Sequence, residues 1–179
     1  TKGRLRSRLA HRRKQMLKLI IATGTDYSIG KDNKLLWHYK EDLKYFQSQT
    51  KNSIVVMGRK THDSIKAITK HPAGLPSRYN YVLSRSGKGP QLDGYIIINN
   101  KEAILHLAEH TDVWLIGGAS VYEIFKDVVG EVHWTTINKT YDEADCHFDM
   151  GWVKCEDEFE KVSEQVLCED VIVNVYKRK

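Results

Sequence analysis

Val113-Trp114-Leu115-Ile116-Gly117-Gly118-Ala119-Ser120-Val121-Tyr122 sets the architecture of this chain. Four apolar residues in a row suit a buried strand, a glycine pair ends it, and helical spacing begins at once. The helix is expected over 119–129, with Val121, Ile124, Phe125 and Val128 facing inward. An earlier stretch follows the same plan. Ser53 to Met57 reads as a second buried strand, Gly58-Arg59-Lys60-Thr61 follows, and a short helix runs to Ile65.

Working outward, Leu17 to Thr23, Tyr79 to Ser84, Tyr95 to Ile98 and Val132 to Asn138 read as further strands. Lys101 to Glu109 reads as a helix with Ala103, Ile104, Leu107 and Ala108 on one face. This alternation predicts a three-layer α/β fold, with a mainly parallel eight-stranded sheet and helices on both faces. Phe159 to Val166 and Val171 to Tyr176, joined through Cys168-Glu169-Asp170, supply an antiparallel C-terminal hairpin at its edge.

Ligands of such sheets bind beyond the carboxyl ends of the strands. At both glycine junctions a ligand can approach the backbone, and the following helix offers unpaired N–H groups to an anion. Arg59, Lys60 and, after the third strand, Arg85 in the Arg85–Pro90 loop add cations at that edge. A dinucleotide with an additional 2′-phosphate fits this set best. Each feature alone also has an ordinary reading, as a tight turn or a solvated helix start. The chain has no Gly-x-Gly-x-x-Gly fingerprint and no Walker lysine motif.

Trp37-His38-Tyr39-Lys40-Glu41-Asp42-Leu43-Lys44-Tyr45-Phe46 reads as a helix entered after Trp37. Asp42, Leu43 and Phe46 share one face, while Glu41 and Lys44 can pair on another flank. A carboxylate beside an apolar stripe needs a partner, either a neighbour or a ligand. The plain alternative is a first-turn acid favoured by the helix dipole. Gly24 to Lys34 reads as a loop with Asp26, Gly30 and Asn33 as turn residues, and His71 to Arg78 as another.

The chain has 179 residues, 41% hydrophobic and 28% charged, which suits one globular domain. Its net charge of +5 is misleading. Residues 1–15 hold seven of the 28 Lys and Arg and none of the 23 Asp and Glu, which leaves 16–179 at −2. The domain therefore carries no general nucleic-acid-binding charge. The basic stretch has three readings: an expression or upstream-reading scar, favoured because a strand follows Met16 at once; an amphipathic targeting peptide; or a polyanion-binding arm. It is set apart from the domain at 16–179. Cys146, Cys155 and Cys168 show no metal-ligand spacing, and their odd count favours reduced thiols in the cytoplasm. The eight histidines form no zinc pattern, so no metal is expected, and His133 and His147 are expected to be structural. No apolar run reaches membrane-spanning length.

These residues together resemble the dihydrofolate reductase family, from Met16 to Lys179. The resemblance rests on Ile20-Ile21-Ala22-Thr23, Asp26 to Gly30, Leu35-Leu36-Trp37, Asp42-Leu43 with Phe46, and Val56-Met57-Gly58-Arg59-Lys60-Thr61. It continues through Leu75-Pro76-Ser77-Arg78, Leu83-Ser84-Arg85, Ile116 to Tyr122, Thr136, and Asp145-Cys146-His147-Phe148. It implies reduction of 7,8-dihydrofolate to tetrahydrofolate with NADPH, by hydride to C6 and a proton to N5, in support of one-carbon metabolism and thymidylate synthesis. The implied catalytic set is Asp42, Trp37, Thr136, Leu35 and Tyr122. Asp42 would meet the pterin, with Thr136, preferred to Thr135 for its spacing to Asp145, bridging to it. Water beside the loop that ends in Trp37 would bring the proton. Ile20, Ala22, Leu43, Phe46, Ile65, Leu75 and Ile116 would line the pterin and aminobenzoyl slots, and Arg78 would pair with the glutamate carboxylate.

The implied NADPH set is Ala22, Ile29, Gly30, Gly58, Arg59, Lys60, Thr61, Leu83, Ser84, Arg85, Gly117, Gly118, Ala119, Ser120, Val121 and Tyr122, with Gly24 to Leu35 as a lid. Antifolates are implied as inhibitors, no membrane or nucleic-acid partner is implied, and the domain is expected to be a monomer. Four positions depart from the family pattern: Leu36 for a proline, His62 for a common aromatic, Ala119 for a third glycine and Ser120 for an arginine of some relatives. A pyrimidine reductase of riboflavin synthesis and a non-catalytic module binding polyanions through residues 1–15 are the competing readings. Asp42 with Leu43 and Phe46, together with Arg78, argues against the first, and the intact Asp42 and glycine pair against the second.

Overall fold

The structure is a computed structural model. It describes Arg4, Arg6 and residues 16–86 and 94–179, so the rest of the basic stretch and of the Arg85–Pro90 loop lies outside the described residues. In chain order the strands are β1 (Leu17–Thr23), β2 (Ser28–Gly30), β3 (Ile54–Gly58), β4 (Tyr79–Leu83), β5 (Tyr95–Ile98), β6 (Val113–Gly117), β7 (Glu131–Ile137), β8 (Cys146–His147), β9 (Phe159–Cys168) and β10 (Val171–Arg178). The helices are α1 (Lys40–Thr50), α2 (Arg59–Thr69), α3 (Lys101–Leu107) and α4 (Ala119–Phe125), with a 3₁₀ turn over Gly151–Lys154.

The main sheet runs β5-β4-β3-β6-β1-β7-β10-β9. β5 through β7 are mutually parallel, and only β10 and β9 run against them. The expected three-layer fold with its antiparallel hairpin is what forms. Alternation along β1 shows why both faces are covered. Leu17, Leu19 and Ile21 join the core under α3 and α4, with Ile104, Val121 and Phe125. Ile20 points the other way, into a second core with Val55, Met57 and Trp114, on which Tyr45, Phe46 and Ile65 of α1 and α2 pack.

Two local expectations change. The helix expected over 119–129 stops at Phe125, and the chain turns there, with Val128 and Val129 N–H both donating to the Phe125 carbonyl. Phe125 and Val121 are buried, whereas Ile124, expected inward, is 42% exposed. One residue is 100° of rotation, so Ile124 and Phe125 cannot share a narrow buried face. The stretch Gly24 to Lys34, expected as loop throughout, contains β2, which pairs antiparallel with β8 in a separate two-stranded sheet. Asp26 builds its turn: the carboxylate accepts from Ser28 N–H, Ser28 Oγ and Tyr141 N–H at 3.3, 2.5 and 3.3 Å. Asp145 accepts from Asp32 N–H at 3.0 Å, and Ser64 of α2 donates to the Asn33 carbonyl at 2.8 Å. The loop is thus held at several points rather than loose.

The contrast between neighbours on α4 is measurable. Phe125→Ala should cost about 3–5 kcal/mol in urea unfolding, and Ile124→Ala under about 1 kcal/mol.

Candidate active site

β1, β3, β4 and β6 are parallel, so their carboxyl ends meet at one edge. α1 begins there. Tyr39 precedes it in extended conformation without a side-chain cap, and Glu41 and Asp42 fill the first turn, where the dipole favours acids. Glu41 is exposed and Asp42 is turned inward. Burial pushes the Asp42 carboxyl above the ordinary carboxylate range, and the side chains of Trp37 and Thr135 pull it partly back. Trp37 is buried with Ile137 and Val171, its ring 5.4 Å from that of Tyr141. Its indole N–H favours the Asp42 charge but is not aligned for a full hydrogen bond, and it has no other acceptor among the described residues.

Thr135, not Thr136, meets Asp42. In the β1–β7 register Ala22 lies beside Thr135 and Thr23 beside Thr136, and adjacent strand residues face opposite ways. Thr135 is buried on the α1 side. Thr136 faces the other side of the sheet, where it lines a cleft with Thr25, Tyr27, Trp134 and Lys154, away from Asp42. The spacing to Asp145 misplaced the residue by one because the intervening loop length does not register a strand. The polar alternation Glu131, His133, Thr135 points toward it, but Thr136 beside it is polar too, so the sequence alone leaves the two threonines undecided.

That alternation continues below the site. His133 is buried, as a structural histidine would be, and its Nδ1 is hydrogen bonded to the Tyr45 hydroxyl of α1. Its Nε2 lies 3.4 Å from Glu131, poorly aligned, and Lys18 lies 3.1 Å from the same carboxylate. Burial opposes the charge on Glu131, but His133 and Lys18 outweigh it and lower its pKa to about 2. His147, in β8, is exposed.

Ile20, Phe46, Ile65, Leu75 and Ile116 gather on the α1–α2 side as one apolar group, and Ala22 packs beside Trp37. Leu43 and Leu35 stand 46% and 55% exposed. Arg78 donates from Nη1 to the Pro76 carbonyl at 2.9 Å, while its buried Nε has no partner. No acid among the described residues pairs with it, and burial lowers its pKa.

The two glycine junctions lie side by side. A Cβ on Gly58 would touch Val121 at 3.5 Å, and Cβ atoms on Gly117 and Gly118 would lie 3.8 and 3.6 Å from Thr61 Oγ1. Gly117 needs its φ of +126°, a region that suits glycine. Arg59, Lys60 and Arg85 are exposed and make no ion pair among the described residues. Ser84, between Leu83 and Arg85, is half-buried, its hydroxyl 3.2 Å from that of Ser86. Ala119 and Ser120 open α4, while Ile29 and Gly30 lie on β2, Gly30 paired with Cys146.

Tyr122 departs from the expected catalytic set. It is buried, and its hydroxyl donates to the Ile20 carbonyl at 2.8 Å, with burial raising its pKa. Its proton is committed to tying α4 to β1, which makes it a support for the site rather than an acid. One potential metal group appears among the described residues, His106, Glu109 and His110. It straddles the C-terminal end of α3, with both histidines largely exposed, where it reads as a surface polar cluster.

The dihydrofolate reductase family profile matches residues 16–177. A putative dihydrofolate reductase of Caenorhabditis elegans is 37% identical over 147 residues, covering 73% of this chain and 76% of that protein. The dihydrofolate reductase of Ureaplasma parvum serovar 3 is 30% identical over 164 residues, covering 92% and 98%. Among solved structures, dihydrofolate reductase from Enterococcus faecalis, complexed with NADP(H) and RAB-propyl, superposes with a TM-score of 0.75 at 28% identity, over 93% of this chain and 98% of that one. With the sheet order, the two glycine junctions and the half-buried Asp42 in place, the match over nearly the whole folded chain has one meaning: this chain belongs to the dihydrofolate reductase family.

Proposed function

We propose that this chain reduces 7,8-dihydrofolate to tetrahydrofolate with NADPH, through a site organised on Asp42. The observation that carries the reading is a carboxyl of raised pKa, held by Thr135 and Trp37 beside an apolar slot. The residues at the strand ends fit the cofactor. Gly117 and Gly118 leave backbone open beside Thr61 Oγ1 and Gly58 beside Val121, and Ala119 to Tyr122 form the adjoining helix. Arg59, Lys60, Ser84 and Arg85 supply the charge and hydroxyl for phosphates, the 2′-phosphate included. NADPH, when bound, supplies the hydride.

Asp42 accepts from the 2-amino and N3 side of the pterin and fixes the ring's orientation. Thr135 holds that carboxyl in place. The unpaired Trp37 N–H suits a water that brings the proton toward N5, which Asp42 does not reach directly. Ile20, Ala22, Phe46, Ile65 and Ile116 keep the ring dry, with Leu43 at the slot's rim. Leu75 borders the aminobenzoyl group and Arg78 pairs with the glutamate. Ile29, Gly30 and Leu35 belong to the lid, and Leu83 to the wall behind Ser84. Antifolates of the same shape compete for this slot. A cytoplasmic monomer remains part of the proposal, and free thiols at Cys146, Cys155 and Cys168 fit that compartment. No helix among the described residues is long and apolar enough to cross a membrane.

Asp42→Asn should lower turnover of dihydrofolate at least about a hundredfold and at the same time raise Tm at neutral pH. The sign follows from linkage. The folded carboxyl binds its proton more tightly than the unfolded one, so wild type loses stability as pH rises from the ordinary value of 3.8 through the raised folded value. The Tm advantage of the variant should grow over that interval and then stay constant, which calorimetry across pH would follow; a variant less stable at every pH would contradict the strain assigned to Asp42.

Thr135→Val should cut kcat/KM about tenfold or more, and Thr136→Val should leave it within about twofold, as steady-state rates would show. Arg59→Ala and Arg85→Ala should each raise KM for NADPH about tenfold, with KM for NADH, which lacks the 2′-phosphate, within about twofold.

A further inference from the structure

Residues 70–78 have little regular structure, yet their backbone is laced by buried and half-buried side chains. Thr69 Oγ1 donates to the Gly74 carbonyl at 2.8 Å, and His62 Nε2 lies 3.0 Å from the Ala73 carbonyl. Asn80, second residue of β4 and 1% exposed, engages its entire amide. Its Oδ1 accepts from Leu75 N–H at 3.0 Å, and its Nδ2 donates to the carbonyls of Leu75 and Arg78 at 2.9 and 3.3 Å. Both peptide groups of Leu75 are thereby satisfied from below, as they would be by a strand neighbour. Gly74 makes the approach possible: its φ is +111°, and a Cβ there would lie 2.9 Å from Asn80 Oδ1.

We propose that Asn80 is a positioning residue for substrate selection, presenting Leu75 and Arg78 to the aminobenzoyl–glutamate end of the substrate as one preformed unit. The inference rests on the tail role assigned to those two residues above. The guanidinium of Arg78 is steered by a single hydrogen bond to the Pro76 carbonyl, with Nε unpartnered and no described acid beside it. A long side chain held so lightly takes its direction from its own backbone, and Asn80 holds that backbone. Asparagine alone among side chains of this size offers an acceptor to Leu75 N–H and two donors to the two carbonyls at once. Aspartate keeps the acceptor, loses both donors and sets a carboxylate against carbonyl oxygens. Asp42 stands on α1, a separate element, so the pterin end is outside Asn80's reach.

The readout is the ratio of KM for a dihydropterin carrying aminobenzoate without glutamate to KM for dihydrofolate. Asn80→Ala and Asn80→Asp should each lower that ratio about tenfold, with kcat on dihydrofolate within about twofold of wild type. Arg78→Ala should lower it at least as far, and adding Asn80→Ala to it should lower it no further, since both act on one contact. If Asn80→Ala does not fold, the near-isosteric Asn80→Asp carries the test. A wild-type ratio in the folded Asn80 variant, or a kcat loss shared by both substrates, overturns the proposal while Arg78→Ala still discriminates. A wild-type ratio in Arg78→Ala overturns the tail reading itself, and this proposal with it.

Discussion

A carboxyl group drawn out of water at the start of a helix is the constraint on which this architecture turns. Asp42 cannot sit beside Ile20 and Phe46 for nothing, because burial penalises its charge. Thr135 and Trp37 offset that penalty only in part, and each draws in another part of the fold. Thr135 faces α1 because β7 pairs in parallel with β1, in the register that sets it beside Ala22. Trp37 arrives at the end of a loop that Asp26, Asp145 and Ser64 hold in place. Below them, Tyr45 and His133 tie the same helix to the same strand, and Lys18 with Glu131 anchors the base. The polar ladder of β7 thus braces α1 at Asp42 and again at Tyr45, nearly one turn on, which is what keeps a costly carboxyl in one place.

The opposite wall of the crevice follows from chain order. β3 and β6 are far apart in sequence and adjacent in the sheet, because the chain runs outward through β4 and β5 before returning. That return sets Gly117 and Gly118 beside Thr61, so two helix starts share one mouth. One such start attracts a single anionic group; two starts flanked by Arg59, Lys60 and Arg85 suit an extended polyphosphate. Tyr122 explains how α4 stays level with β1 while glycines loosen the junction above it.

The sequence was readable where a period or a punctuation mark carried the information. Strand runs ended by Gly58 and Gly117, and the apolar stripe around Asp42, located the sheet, the edge where the two glycine junctions lie and the inward-turned acid of α1. Readings failed where the answer depended on register or on what lay opposite. Thr135 and Thr136 are chemically identical neighbours, and only the pairing of β7 with β1 distinguishes their faces. Ile124 fits an amphipathic stripe as well as Phe125 does, until the helix ends one residue later. β2 has three residues and exists because β8 pairs with it from more than a hundred positions away. Asn80 looked like an ordinary strand residue, since its partners lie on a loop with no period of its own.

Across the site, polar side chains are mostly engaged with backbone: Asn80 with Leu75 and Arg78, His62 with Ala73, Tyr122 with Ile20, Thr69 with Gly74. Each such bond removes a donor or acceptor from the reach of a ligand and converts it into wall. Asp42 and Arg78 are among the ionisable groups that keep capacity in excess of what the fold uses. Asp42 has only partial compensation for a buried carboxyl, and Arg78 has a buried Nε without an acceptor. They carry opposite charge, and Phe46, Ile65 and Leu75 belong to the apolar group of the same slot. A ligand that donates hydrogen bonds at one end, is flat and apolar in the middle and ends in a carboxylate satisfies both at once. A ligand lacking either end leaves one of them buried and unmet, at a cost of about 1–3 kcal/mol or more. On the proposed function, selectivity at this site rests less on the contacts the correct substrate makes than on the two groups that any wrong one leaves without a partner.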